Sequence, residues 1–248
     1  MSELLHLAEH RVQEAALLFM AAAYTIRLIW LFRWRAGRDR QPPNPRSWTD
    51  PRRGSLYSLA AVGMPWAMEA TRRDPWFYVQ FATFHIGVTA SIALSFVIPY
   101  APGWIESAAL VRLFQVAIAA AFVVACIRMV RRVTNRVVRA ISTPDDYFSL
   151  GLLAVWFFLG VVAAPNSTAH GEWPLLAFFF MTAFFLVYVP FSKISHYLYY
   201  PFSRFYLGRT LGHRGVFPLA PIGHDRPFHD LTRVAADGVR GQDPPRRL

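Results

Sequence analysis

Five long apolar stretches, separated by shorter polar segments, dominate the hydropathy pattern of the 248-residue chain. They cover residues 14–34, 76–99, 108–130, 147–164 and 173–199. The hydrocarbon core of a bilayer is about 30 Å thick and takes about 20 helical residues to cross. Only a helix satisfies its own backbone polar groups in lipid at this length. The pattern predicts an all-α integral membrane protein, with a five-transmembrane-helix bundle at residues 1–205 and a basic, proline-containing tail at 206–248.

A sixth apolar segment, residues 56–68 (LYSLAAVGMPWAM), is too short to cross a bilayer as a helix. It also contains Pro65, which interrupts helical hydrogen bonding. The length favours an interfacial or a re-entrant helix, and the sequence leaves both open.

Arginines mark one side of the predicted bundle. The segments between the second and third stretches (PYAPGWIES) and between the fourth and fifth (AAPNSTAHGEW) contain neither Lys nor Arg. By the positive-inside rule the N-terminus lies outside and the C-terminus is cytoplasmic. The arginines that carry this orientation follow the first, third and fifth stretches: Arg33, Arg35, Arg38, Arg40, Arg46, Arg52, Arg53, Arg72, Arg73, Arg131, Arg132, Arg136, Arg139, Arg204, Arg209 and Arg214.

The net charge is +11, but the positions of the basic residues say more about the partner than the total does. Because the basic residues lie beside apolar stretches, they favour a membrane surface as partner and not nucleic acid. The single cysteine, Cys126, lies inside an apolar stretch. One cysteine excludes an internal disulfide or a Cys-ligated cluster held by this chain alone.

Two of the eight histidines, His85 and His196, fall within predicted spans, where ionisable side chains are rare and usually functional. His85 lies about 13 Å into the second span at 1.5 Å per residue, and His196 lies near the end of the fifth. Both are therefore expected in the cytoplasmic half. Two imidazoles on facing helices are typical of a six-coordinate haem b, and Gly87 would leave room for a flat macrocycle. Hydrogen-bonded core histidines or proton-relay groups are the alternatives.

Three segments around these histidines resemble one family. FHIG (84–87), PFSKISH (190–196) and RAISTPDDYFSLGLL (139–153, including Asp146) are similar to segments of the respiratory nitrate reductase gamma-subunit family. This five-helix membrane cytochrome b family includes membrane subunits of complexes with heterodisulfide-reductase-like iron–sulfur proteins. Arg27 is similar as well, and the resemblance covers residues 15–204.

The chain departs from that family at two positions. Two-haem members carry a second histidine ten residues after the first and another eighteen residues before the last, where this chain has Ser95 and Phe178. Both ligands of the distal haem are thus missing, while the proximal pair is kept. The resemblance therefore implies a single haem b, with His85 and His196 as its iron ligands.

The resemblance also implies a function and a location. Family members transfer electrons between membrane quinone and a cytoplasmic iron–sulfur partner subunit in a bacterial cytoplasmic membrane. The chain has no nucleotide-binding motif and no cluster ligands. We therefore expect an electron-transfer subunit of a respiratory oxidoreductase complex and not a stand-alone enzyme.

Basic side chains near the cytoplasmic end are candidate partners for haem propionates, namely Arg27, Arg128 and Lys193; for any single one of them, snorkelling to the headgroups and a topological role are the preferred explanation. Arg112 resembles a basic residue near the family's quinone site, and His170 and Glu172 are candidates for proton exchange with the outer medium. A haem-free membrane anchor and a transporter subunit that uses buried histidines are the competing functions.

Overall fold

The computed structural model describes residues 2–35, 37, 39–43, 50–67, 69–169 and 171–219. Within these ranges all regular structure is helical and no strand is present. A π-helical turn, Leu7–Val12, joins the first two helices without a break. The α-helices are α1 (Glu3–His6), α2 (Gln13–Phe32), α3 (Pro51–Ala60), α4 (Glu69–Arg73), α5 (Pro75–Tyr100), α6 (Ala108–Thr134), α7 (Arg136–Ala140), α8 (Pro144–Ala163), α9 (Trp173–Tyr188) and α10 (His196–His213).

Five helical segments in the described residues are long and apolar enough to cross a membrane: Glu3–Phe32, Pro75–Tyr100, Ala108–Thr134, Pro144–Ala163 and Trp173–Phe191. The prediction of an all-α protein with five candidate spans is confirmed. Two bounds differ from it by eight residues or more, and the others by at most four. The first segment begins at Glu3 and not at residue 14, and the fifth ends at Phe191 and not at residue 199.

The early end of the fifth span has a local cause. Pro190 has no backbone N–H to donate, and the chain tightens there into a 3-10 turn, Val189–Phe191. The Ser192 side chain then accepts a hydrogen bond from the Ile194 N–H and starts a second 3-10 turn, Lys193–Ser195. His196 consequently opens a new helix, α10, and does not lie inside the fifth span.

Capping residues fix where other spans begin. Asp74 accepts a hydrogen bond from the Phe77 N–H, and Pro75 occupies the first turn of α5. At α8, Thr143 and Asp146 form a reciprocal capping box around Pro144. Both signals are readable in the sequence, since Asp or Thr followed by Pro is a typical helix start.

The chain divides into two compact units, residues 1–35 with 68–200 and residues 36–67 with 201–248. In the first unit the helices pack in the order α5, α6, α8, α9, α2. Direct packing of α5 against α2 or α9 is far less extensive in the described residues. Where α5 and α2 face one another, Gln13 Nε2 donates to the Ser95 carbonyl oxygen across 3.0 Å.

The two ends of this first unit differ in charge. Arg33 and Arg35 follow α2, Arg131 and Arg132 end α6, and α5 is preceded by Arg73. We call this end of the unit the basic end. The opposite end, where Ser2 donates to Glu172, is called the N-terminal end.

Gly87 has a different role from the one expected. A Cβ at this position would overlap the Ala121 Cβ and lie 3.0 Å from the Ala117 carbonyl oxygen of α6. Gly87 therefore permits the close approach of α5 and α6, as small residues do between membrane helices. The expectation that it makes room for a macrocycle is wrong.

The second unit contains the short apolar segment and much of α10. Residues 56–67 form the end of α3 and two 3-10 turns, Ala61–Gly63 and Pro65–Ala67, whereas residue 68 lies outside the described residues. The helix α10 continues to His213, so the first part of the expected tail is helical, and residues 220–248 lie outside the description. Arg214 Nε lies 2.7 Å from Asp39 Oδ2, an ion pair that lowers the pKa of the Asp39 carboxyl.

Candidate functional site

His85 and His196 face each other at the basic half of the first unit. Their ring centroids are 6.4 Å apart and their planes are nearly perpendicular, at 86°. His85 projects from α5, two and a half turns after its start, and His196 is the first residue of α10. The structure thus brings together the two histidines that the sequence singled out, although they are 111 positions apart.

Backbone carbonyls fix both rings in the same tautomer. His85 Nδ1 lies 2.7 Å from the Phe81 oxygen, and His196 Nδ1 lies 3.1 Å from the Lys193 oxygen. Because a carbonyl oxygen only accepts, each Nδ1 carries the proton, and each Nε2 keeps its lone pair. Neither Nε2 is hydrogen-bonded to any of the described residues. This arrangement is typical of histidines that ligate a metal through Nε2.

The spacing fits one metal ion between the rings. With metal–nitrogen bonds of about 2.0–2.1 Å, two imidazoles on opposite sides of an ion have centroids about 6–6.5 Å apart. The described residues contain no group of three or more His, Cys, Asp or Glu side chains that could complete an all-protein site. A pair of histidines without further protein ligands could hold a metal whose other ligands come from a macrocycle.

Apolar and aromatic surfaces surround the pair. The Phe81 ring lies 4.2 Å from the His85 ring, and Tyr197 follows His196. A groove of about 480 Å³ begins at His85 and runs between α5 and α6, lined by Ile86, Thr89, Ala93, Leu113 and Phe114 among others. An apolar, partly open groove of this size suits a large flat cofactor or a lipid-soluble ligand.

The proposed propionate partners have different environments. Arg27 donates to the Tyr199 hydroxyl at 3.2 Å and its guanidinium lies 5.6 Å from the centroid of the Phe191 ring, so it borders the segment that carries His196. Arg128 stacks 5.1 Å over Phe84, the neighbour of His85. The Arg128 Nε is buried without a hydrogen-bond partner among the described residues, which leaves a donor for an anionic group.

Lys193 is already engaged. Its Nζ lies 2.8 Å from both Asp146 Oδ2 and Thr143 Oγ1, at the first turn of α8. The Lys193 backbone N–H also reaches Asp145 at 3.3 Å. Lys193 therefore ties the segment before His196 to α8, a positioning role that its sequence position alone did not reveal.

Ser95 and Phe178, which stand where two-haem members of the resembled family carry distal ligands, are packed among other protein groups. Ser95 is 2% exposed, its hydroxyl donates to the Ile92 carbonyl, and its own carbonyl accepts from Gln13. Phe178 is fully buried and stacks parallel to Trp156 with centroids 6.2 Å apart.

Arg112 and Glu172, two of the three residues predicted for the quinone side, have different surroundings. Arg112 is exposed on α6, in the second turn of that helix. Glu172 accepts hydrogen bonds from the backbone N–H and the hydroxyl of Ser2, and these bonds lower the pKa of its carboxyl. His170 lies outside the described residues.

Sequence reasoning missed two buried polar residues, Glu9 and Gln13. They are 2% and 0% exposed and lie before the predicted start of the first span at residue 14. The signal that could have found them is the extension of helical periodicity back to Ser2, which caps α1 by accepting from the Leu5 N–H.

No protein-family model matches the chain. It is similar to a protein of Nitratidesulfovibrio vulgaris (strain Hildenborough), with 28% identity over 213 residues, which cover 78% of this chain and 87% of the relative. The match spans most of both chains, and the relative's description, "Protein", names no activity.

Proposed function

We propose that the chain is the haem b membrane subunit of a respiratory oxidoreductase complex. In this role it transfers electrons between the membrane quinone pool and a cytoplasmic iron–sulfur partner subunit. The observation that carries the proposal is the His85–His196 pair, with rings 6.4 Å apart and both Nε2 lone pairs available.

The residues present fit a haem b. His85 and His196 would hold its iron through Nε2, the apolar groove that His85 lines would border the macrocycle, and Arg27 and Arg128 are the candidate partners of its propionates. A bound haem b supplies reversible one-electron transfer at a potential that its ligands and surroundings set. The protein's part is to orient both imidazoles through Nδ1 and to exclude water with Phe81 and Phe84.

The packing supports one haem and not two. Two-haem members of the resembled family ligate their second haem at the positions of Ser95 and Phe178, where this chain has a buried hydrogen bond and a stacked aromatic cluster. Replacing the buried side chains at these two positions with smaller groups would open a cavity in the interior of the first unit.

The charge pattern supports the proposed topology. Arginines at the basic end favour a cytoplasmic location for that end, and hence a bacterial cytoplasmic membrane with the N-terminus outside. The His85–His196 pair then lies in the half of the bundle that is nearer to a cytoplasmic iron–sulfur partner. Arg112, His170 and Glu172 stay candidates for the quinone side.

A dithionite-reduced-minus-oxidised spectrum of the purified full-length protein, with haem counted as pyridine haemochrome, tests the proposal. We expect one b-type haem per chain, lost in both His85→Ala and His196→Ala. His213→Ala is the matched control, since His213 Nε2 bonds the Gln41 carbonyl in the second unit. Adding imidazole to the alanine variants should restore a low-spin spectrum if they are folded.

Two other results would point elsewhere. Two haems per chain would mean that ligands other than residues 95 and 178 hold a second group. No haem in folded protein, expressed with ample haem supply, would overturn the proposal and leave a haem-free membrane anchor or a transporter subunit.

A further inference from the structure

Four buried polar side chains lie on the N-terminal helical segment (Glu9 and Gln13) and on α5 (Ser91 and Ser95), on the N-terminal side of the His85–His196 pair. Glu9 and Ser95 are 2% exposed, and Gln13 and Ser91 are 0% exposed. Ionisable and polar side chains are rare inside apolar spans and usually serve a function there. Glu9 also lies in a π-helical turn, Leu7–Val12, and such turns are frequent at functional sites.

These side chains form a row along the bundle axis. The hydrogen bond from Gln13 to the Ser95 carbonyl fixes the register of the two antiparallel helices. Glu9 precedes Gln13 by four residues, which places it about one helical turn nearer to the N-terminal end, and Ser91 lies about 6 Å deeper than Ser95 along α5. His85 follows about 9 Å deeper still along α5.

Three atoms of this row lack partners. Glu9 Oε1, Gln13 Oε1 and Ser91 Oγ are buried and have no hydrogen bond to any of the described residues. Buried polar atoms that the protein leaves unpaired are normally satisfied by internal water, which bridges two to four such groups. A row of such atoms therefore indicates a row of water sites.

Other titratable groups lie at the N-terminal end of the bundle, where the row begins. The His6 and His10 rings are 4.7 Å apart, and His10 lies edge-on to Tyr100 at 5.4 Å. Tyr100 donates to Glu14 at 3.1 Å, and Glu172 is bound to Ser2 at the same end. Glu9 thus lies at the end of the bundle where several partly exposed titratable groups are found.

We propose that Glu9, Gln13 and Ser91 hold a chain of internal waters that forms a proton pathway from the N-terminal end of the bundle towards the His85–His196 site, with Glu9 as its proton-exchanging group. Each transfer moves one proton from an oxygen to the next water and no electron. Gln13 and Ser91 orient the waters and keep their own protonation states. That the pathway leads to the His85–His196 site rests on the proposed function. When a haem in an apolar interior takes up an electron, the uptake of a proton nearby compensates the added negative charge.

Infrared spectroscopy of the full-length protein, combined with potentiometric titration of the haem, tests the pathway. We expect a carboxylic-acid C=O band that shifts in D₂O, is lost in Glu9→Gln and is kept in Glu3→Gln, a control on an exposed residue of the same segment. Ser91→Ala should keep the band and slow its exchange. The haem midpoint potential should fall as pH rises, and this dependence should be lost in Glu9→Gln but not in Glu3→Gln.

Two results would overturn the pathway: a Glu9 band that is absent or does not exchange in D₂O, or a pH dependence of the potential that is the same in Glu9→Gln and wild type. If the purified protein binds no haem, the proposed function fails and only the infrared arm applies. An exchangeable Glu9 band slowed by Ser91→Ala would then still support the water chain, and a non-exchanging one would reject it.

Discussion

Lys193 and Asp146 form an ion pair with 2.8 Å between Nζ and Oδ2, and this pair joins the turn before His196 to the first turn of α8. Arg132 Nη1 lies 3.9 Å from the same carboxylate oxygen. The carbonyl of Lys193 in turn accepts from His196 Nδ1. One residue therefore sets both the place of the segment and the orientation of the imidazole.

Lys193→Ala should loosen His196 more than it destabilises the protein. The Lys193 side chain is 54% exposed, so we expect a loss of only about 0.2–1 kcal/mol in the free energy of unfolding. On the proposed function, the haem content or the electron paramagnetic resonance signature of the histidine-ligated iron should change, because the turn is no longer anchored. Lys193→Arg, which keeps the charge, should behave like wild type, and unchanged spectra in Lys193→Ala would contradict the positioning role.

Arg128→Ala should lower the haem midpoint potential. Removing a half-buried positive charge next to Phe84 disfavours the added electron, by an amount on the order of tens of millivolts. Arg128→Lys should retain most of the potential. Arg139→Ala, at an exposed arginine of α7, is the control, and an equal shift in that variant would show that Arg128 acts only through overall charge.

Gly87→Val should destabilise the bundle. Its side chain would collide with the Ala121 Cβ and the Ala117 carbonyl oxygen, which forces α5 and α6 apart. Overpacking of this kind costs about 1–3 kcal/mol. Thermal unfolding in detergent measures the effect, with Gly103→Ala as control because nothing lies within 4 Å of a Cβ at Gly103. Equal melting temperatures for both variants would refute the close packing.

The contact between Glu172 and Ser2 should depend on pH. Two hydrogen bonds from Ser2 lower the pKa of Glu172 below its ordinary value of 4.5 in the folded protein. The contact therefore contributes to stability above that value and is lost as pH falls through the lowered pKa. Hydrogen exchange of the Leu5 amide, which donates to Ser2 Oγ, should accelerate over this range after correction for intrinsic rates. In Glu172→Gln the acceleration should be absent.

Much of the fold was accessible from the sequence. The five candidate spans follow from uninterrupted apolar stretches, because a lipid-exposed backbone has no alternative to helix. Boundaries at Asp74 and Thr143 follow from local capping chemistry. The break at residues 189–195 was missed, since Pro190 and Ser192 lie within a stretch whose hydropathy continues beyond them.

The candidate site could be predicted from the sequence only in part. Depth along two helices suggested that His85 and His196 lie at similar levels, and the rings do face each other. Gly87 was predicted to lie beside a macrocycle, whereas it packs against Ala117 and Ala121 of α6. The spacing of residues along one helix does not say which neighbouring helix each face contacts. Lys193 was predicted as a candidate propionate partner, and its ion pair with Asp146 was missed because Asp146 is remote in sequence.

The sequence by itself determined the helical class, the number of candidate spans and the two histidines, since hydropathy and residue type are local properties. Only the tertiary structure decided that both Nδ1 atoms are occupied, that the Ser95 and Phe178 positions are filled, and that Glu9 and Gln13 are buried. These depend on the rotation and register of helices that meet across the bundle. Side-chain packing between distant segments sets that geometry, and no local pattern encodes it.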